Sequence, residues 1–365
     1  MPGSCAFCGS TQPLTREHIF GQWLSKIGLD LSPARHKAGP LNRVPREMGV
    51  QPPYRQTVKS FCASCNNGWM SHLEDCAQQV LSPLILGKPG SIEPEDQGQI
   101  AMWVQKTALT AMLLSSKEQR DAGHGLPQSV YTALYERRDR MEPLDASRFW
   151  VGRYDGAAGF SAVRVTPLVV RIPGIPEPDL PQGYLMTVVL GELLLQGLHF
   201  TTPALEIDVT MDLGMAQLWP SRGSVQWPAG RPCTSASFLR LADGKLLQPT
   251  VEHVELRAWA RAAELPQSEL VGGTVQVPAA CGRHVFHYPV SLLNEAQRGR
   301  FYGFMTGCDC PMAYLIELES DGAHCKAAGS SESISEIYEK LPGDEFWIRG
   351  EAGSFFFKRS VASTA

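Results

Sequence analysis

Cys5-Ala-Phe-Cys8, Glu17-His18-Ile19 and Cys62-Ala-Ser-Cys65-Asn66-Asn67-Gly68-Trp69 open a chain of 365 residues, and their reading decides the fold. Two C-x2-C knuckles supply four thiolates, the ligand set of a closed tetrahedral zinc site. A structural Zn²⁺ is therefore expected at Cys5, Cys8, Cys62 and Cys65. Residues 9–61 separate the two pairs, a longer interval than an ordinary zinc ribbon has. The knuckles therefore enclose something, and Glu17-His18 is the obvious candidate.

This arrangement resembles the HNH endonucleases, in whose zinc-stabilised branch a C-x2-C precedes an Asp/Glu-His-Ile sequence and a second C-x2-C opens a helix. The resemblance covers residues 5–75, about a fifth of the chain. It implies an α+β chain with an N-terminal ββα-metal domain, a β-hairpin followed by a helix clamped round a catalytic metal. His18 takes the position of the general base, Glu17 the acidic position before it, and Asn66 the last position of the pattern. Glu17 and the side-chain oxygen of Asn66 would then hold Mg²⁺ or Mn²⁺ at the scissile phosphate, with Asn67 the donor if the register shifts by one. The middle Asn of the family pattern falls on Thr57, a departure that bears on rate more than on chemistry. Glu in place of the more usual Asp also alters where the metal sits. His72 lies six residues past Asn66, about 240° round a helix, which favours a surface role.

Neutral imidazole near pH 7 can take a proton from water. A hard cation that prefers oxygen can neutralise the charge developing on a phosphodiester. The expected activity is therefore metal-dependent hydrolysis of nucleic-acid phosphodiester bonds, with host defence as a setting by analogy. The competing reading is a non-catalytic zinc-binding protein, nucleic-acid-binding or ligand-sensing, whose Thr57 marks a decayed site.

Composition supports a globular chain: 43% hydrophobic and 19% charged residues suit packed cores rather than disorder. The longest apolar runs, such as Met186–Leu190, are far too short to span a bilayer. No basic segment followed by an apolar core opens the sequence, so a cytoplasmic location is expected, where paired cysteines mean metal rather than disulfides. Residues 1–75 carry eight Lys/Arg and five acids, a surplus of three; with a whole-chain charge of −4 the remainder carries −7. Positive charge thus gathers where phosphates would dock. Residues 32–54, rich in Pro, Gly and Arg, read as a long loop. Its Arg35, His36, Lys37, Arg43 and Arg46 form either a clamp on a nucleic-acid backbone or an ordinary exposed surface. The expected partner is nucleic acid, DNA first, with no membrane and with a homodimer as a candidate assembly. Phosphate-loop, dinucleotide-fingerprint and G-x-S-x-G motifs are missing from the sequence.

Four regions are expected in order: residues 1–86 as the zinc and ββα-metal domain, 87–146 as a helical segment, 147–232 as a β-rich domain, and 233–365 as an α+β region. Within them, Ile19–Ile27 reads as a short helix ended by Gly28, and 56–61 as a strand. Trp69, Leu73, Cys76 and Val80 mark one face of a helix, with Cys76 a buried small hydrophobe. Residues 95–118 read as a long amphipathic helix whose Lys106 carries its amine out to water, and 127–138 as a second. Strands follow over 149–153, 160–172, 184–190 and 193–200, with Gly191-Glu192 as a two-residue turn. Residues 205–211 and 215–219 extend the sheet. A boundary is expected over 232–248 and a helix over 251–263. The strands of the last region lie over 274–277, 284–290, 301–305, 313–319 and 346–358, with a helix over 333–341. Cys281, His284, His287, Cys308, Cys310 and Cys325 are a weaker candidate for a second metal, with inert cysteines as the default.

Overall fold

The computed structural model describes residues 3–38, 46–115, 126–156, 160–172, 181–201, 206–258, 269–271, 274–278, 285–289, 299–306, 313–319, 322–350 and 353–361. The architecture is mixed α and β, with few helices and β-rich regions. Two compact units divide the chain: Met1–Ala38 with Glu47–Trp259, and Gly39–Arg46 with Ala260–Ala365.

The first unit opens on β1 (Leu14–His18), a 3₁₀ turn over Gln22–Lys26, β2 (Ala34–Ala38), β3 (Arg46–Gln51) and β4 (Thr57–Cys62). β1 and β4 pair antiparallel, with Leu14 opposite Cys62, His18 opposite Thr57, and a bulge between Thr15 and Glu17. β2 and β3 pair with each other, which corrects the loop expected over 32–54. The sequence of this ribbon has no apolar alternation to announce it, and Val50 on β3 is 66% exposed.

Helix α1 leaves β4 without a break, through Ala63–Cys65, a wide π turn over Asn66–Met70, and Ser71–Ile85. Gly68 makes the wide turn possible, since its φ of −98° and ψ of −114° lie outside the helical region. β5 (Gly90–Ile92) leads into α2 (Pro94–Met112), which has Pro at its N-terminus and Glu95 and Asp96 in its first turn, favourable to the helix dipole. α2 is buried all round from Ile100 to Thr110, which makes it the central strut of this unit. Helix α3 (Gln128–Glu136) follows.

The strands β6 (Ser147–Arg153), β7 (Ser161–Arg171), β8 (Gly183–Leu190), β9 (Leu193–Phe200), β10 (Val209–Met211), β11 (Ala216–Trp219), β12 (Val225–Trp227), β13 (Leu247–Pro249) and β14 (Glu255–Ala258) come next, with α4 (Ser235–Ala242) between β12 and β13. Six of them form one antiparallel sheet in the order β11-β6-β9-β8-β7-β14; β12 pairs with β5, and β13 with β10. β8 and β9 are buried along their whole length, joined at Gly191, whose positive φ of 54° suits the hairpin. One face of the sheet (Phe149, Val151, Met186, Val188) shares a continuous core with α2 and with Cys5, Phe7, Phe61 and Cys62. The other face (Trp150, Leu185, Val189, Leu194) packs on Phe238 and Leu241 of α4.

Two expectations change here. Residues 255–258 are not helical: β14 pairs with the edge of β7, Glu255 opposite Arg171 and Ala258 opposite Leu168. A free sheet edge presents unpaired backbone groups, and filling them outweighs a weak helical spacing. The boundary expected over 232–248 is crossed by α4 and β13, both inside the first unit.

In the second unit, β15 (Glu269–Val271), β16 (Thr274–Pro278) and β17 (Val285–Pro289) form a three-stranded sheet. β18 (Gly299–Thr306), β19 (Ala313–Glu319), β20 (Gly322–Gly329), β21 (Asp344–Gly350) and β22 (Gly353–Val361) form another, in the order β20-β19-β18-β22-β21. Helix α5 (Ser331–Glu339) is capped by Ser330, whose hydroxyl accepts the Ser333 N–H at 3.2 Å. It packs Ile334 and Tyr338 against Tyr302 and Leu315. Among the described residues no helix is long and apolar enough to cross a membrane.

Candidate metal centre and the hairpin beside it

The first knuckle is a tight turn in which Gly9 N–H donates to the Cys5 carbonyl at 2.9 Å. Gly9 has a φ of 73°, a conformation that costs glycine little. The Ala6 N–H donates to the Ser60 carbonyl of β4 at 2.9 Å, and Phe7 stacks on Phe61 with ring centroids 4.9 Å apart. These contacts carry Cys5 and Cys8 to the junction of β4 and α1, where Cys62 and Cys65 lie. The four sulphurs all fall within 4.8 Å of one another, and Cys8 Sγ is 3.5 Å from Cys62 Sγ. A tetrahedron of thiolates round Zn²⁺ has sulphur–sulphur edges of about 3.8 Å, from bonds of about 2.3 Å. The cluster fits a structural metal such as zinc. Burial raises the thiols of Cys8 and Cys65, whereas at Cys5 burial is outweighed by hydrogen bonds from the backbone at Cys62, Cys8 and Phe7, which lower it. It is therefore Cys8 and Cys65 that call for a cation among them to ionise. Trp69, turned by the Gly68 kink, packs its edge on Phe7 at 5.0 Å and closes this side of the cluster.

The same hairpin positions the other sequence-predicted residues. His18 ends β1 half-buried, with its Nδ1 3.2 Å from the Gln22 side-chain amide. Burial, then the charge of Arg55, lowers its pKa, against a smaller pull from Glu74, so the imidazole is neutral near pH 7. Asn66 reaches across to β1, where its Nδ2 donates to Thr15 Oγ1 at 3.0 Å and to the Arg16 carbonyl at 3.1 Å. Its amide nitrogen is thereby spent, which leaves Oδ1 as the atom able to ligate. Asn67 and His72 are exposed, and Cys76 is half-buried rather than fully so.

Glu17 meets residues that the sequence did not single out as a site. Lys106 of α2, expected to reach water, is fully buried and pairs closely with Glu74 of α1. Its ammonium lies 3.9 Å from Glu17. The other oxygen of Glu74 accepts the Trp23 indole N–H at 2.8 Å. Two carboxylates thus share one buried amine, and burial raises Glu17 to about 7, with Lys106 pulling it down and Glu74 pushing it up. A carboxylate left short of positive charge fits a hard cation. Among the described residues no other three Cys, His, Asp or Glu side chains gather as the cysteines do. A cation here would therefore have few protein ligands and keep water, as Mg²⁺ does. The signal for Lys106 was present: it is the single charged residue in the helical stretch from Ile100 to Ala111. Gln22, Arg55 and Glu74 carried no comparable mark.

Arg35, Lys37 and Arg46 lie on the β2–β3 ribbon, and Arg43 lies outside the described residues. His36, between the first two, has Nε2 2.9 Å from the Gln51 carbonyl. Cys281, His284, Cys308 and Cys310 also lie outside the described residues, while His287 and Cys325 fall on β17 and β20. No protein-family model matches the chain, and no curated protein or solved structure matches it either.

Proposed function

We propose that the β1–β4 hairpin and α1 form a metal-dependent, HNH-type nuclease site that hydrolyses nucleic-acid phosphodiester bonds. One observation carries this reading. An antiparallel strand pair with the four cysteines at one end runs directly into a helix, with His18 at the end away from the cysteines and Asn66 bonded back from the helix to β1.

In this reading His18 accepts a proton from the attacking water. Its depressed pKa keeps the base free at neutral pH. The Gln22 atom beside Nδ1 is Nε2, so for His18 Nε2 to take the proton the Gln22 amide must turn over and present its oxygen to an Nδ1–H. Glu17 and Asn66 Oδ1 would hold the divalent cation, which when bound supplies positive charge to the phosphate and the departing oxygen. Arg55, exposed beside His18, can hold a phosphate of the incoming strand.

The Lys106 contact favours a second reading. Glu17 already has a cation nearby, so the hairpin could be a zinc-stapled binding module without catalysis. Incubation of the zinc-loaded protein with supercoiled plasmid and with single-stranded DNA and RNA, in Mg²⁺, Mn²⁺ or EDTA, separates the two. The nuclease reading expects metal-dependent cleavage that His18→Ala abolishes while zinc content and melting temperature stay unchanged. Cleavage indifferent to His18→Ala, or no cleavage of any substrate, would favour the binding module.

A further inference from the structure

Lys106 is the most costly charge in this part of the molecule. It sits on α2, a helix buried on every side, and its side chain has no exposed surface. An ammonium withdrawn from water stays charged only against partners that offset its lost hydration. Those partners come from two other elements: Glu74 on α1, in close contact, and Glu17 on β1, 3.9 Å away. Glu74 is itself held by the Trp23 indole, and an added Cβ at Gly21 would lie 2.2 Å from its Oε2. The tight partner is thus fixed in place, while Glu17 lies at the outer edge of the ammonium's reach. Glu17 also sits immediately before His18, so whatever orients it acts on the hairpin site.

We propose that Lys106, backed by Glu74, is the positioning residue of the hairpin's cation site: it holds the Glu17 carboxylate in place and lowers the site's affinity for a divalent cation. This rests on the nuclease reading above. Above pH 7, where Glu17 is ionised, the two carboxylates and the charged amine sum to −1, and without the amine they sum to −2. This difference holds on the alkaline side of the Glu17 pKa of about 7. A divalent cation a few ångströms away feels that difference strongly in a partly buried site.

The test is Mn²⁺ titration of the zinc-loaded protein by calorimetry, with cleavage measured in parallel. Lys106→Met is expected to tighten Mn²⁺ binding about tenfold or more and to lower kcat, because Glu17 is no longer held. Glu74→Gln removes a negative charge and is expected to weaken Mn²⁺ binding by a similar factor, while Lys106→Arg stays within about threefold of wild type. Opposite signs at the two ends of one ion pair are the signature, since simple loss of structure would weaken binding in both. If Lys106→Met does not fold, Lys106→Gln, which can still donate to Glu74, takes its place. Shifts of the same sign, or none, with Glu17-dependent Mn²⁺ binding intact, would overturn this inference and leave the nuclease reading standing. Absence of any Mn²⁺ binding that Glu17→Gln removes would overturn both.

Discussion

His18 and Thr57 face each other as the terminal pair of the β1–β4 ladder, so the residue that departs from the HNH pattern lies directly across from the candidate base. In the nucleases that residues 5–75 resemble, an Asn at this position braces the hairpin and orients the histidine. Under the proposed nuclease reading, a threonine hydroxyl is too short to do the same work by the same contacts. Thr57→Asn is expected to raise kcat for plasmid nicking with little change in KM. The gain should be part of the roughly 10²-fold that a 1 Å misplacement of a reacting group costs. A drop in kcat with an unchanged melting temperature would show that Thr57 has its own role.

The four cysteines are expected to carry one zinc per chain, read by elemental analysis of the purified protein. Cys65→Ser should release it. Apparent binding energies of structural zinc are on the order of 10 kcal/mol and are coupled to folding. Losing several of these should lower the melting temperature by about 10 °C or more, at roughly 2–4 °C per kcal/mol. Strong chelation of the wild type should reproduce the drop, and added Zn²⁺ should reverse it.

Gly21 has an ordinary φ of −55°, so its side chain is excluded by space alone. A Cβ would fall 2.2 Å from Glu74 Oε2 and 2.3 Å from Trp23 Nε1. Gly21→Ala must therefore part the Trp23–Glu74 hydrogen bond, at a cost of about 1–3 kcal/mol. Calorimetric melting reads the loss, and a quenched or shifted tryptophan emission should accompany it.

His199 on β9 is 6% exposed, with Nδ1 2.9 Å from the hydroxyl of Ser147, its partner across the ladder in β6. Burial lowers its pKa to about 4, against a smaller opposing pull from Asp145. Between that value and about 6.5 the unfolded chain binds a proton that the folded chain refuses, so stability rises with pH across this window. Acidification from about pH 6.5 to pH 4 should therefore remove about 3 kcal/mol through this residue, and nothing above pH 6.5. His199→Asn, which can still bond Ser147, should flatten that part of the stability–pH curve. An unchanged slope would place the titration elsewhere.

Much of the fold was legible because it depends on neighbours in sequence. The 3₁₀ turn before Gly28, the helix over 94–112 and the hairpin about Gly191 all follow from local apolar spacing and turn residues. The β2–β3 ribbon escaped because its sequence has no apolar alternation. β14 escaped because its state is set by the vacant edge of β7, more than eighty residues earlier in the chain.

The candidate site divides along the same line. Two C-x2-C pairs named from spacing alone the four cysteines that gather closely enough to hold a metal, since a knuckle is a local turn and zinc chemistry admits few alternatives. Glu17, His18 and Asn66 were named by pattern. The surroundings of Glu17 came from contacts between distant segments: Lys106 lies 32 residues from Glu74, and Trp23 lies 51 from it. A buried charge must find its partner in three dimensions, and no spacing rule says which acid that will be. Sequence alone thus named the candidate metal ligands and the hairpin that carries them. Only the packing of α2 against α1 and β1 decided that a lysine, drawn out of water, would share its charge between two glutamates beside the histidine.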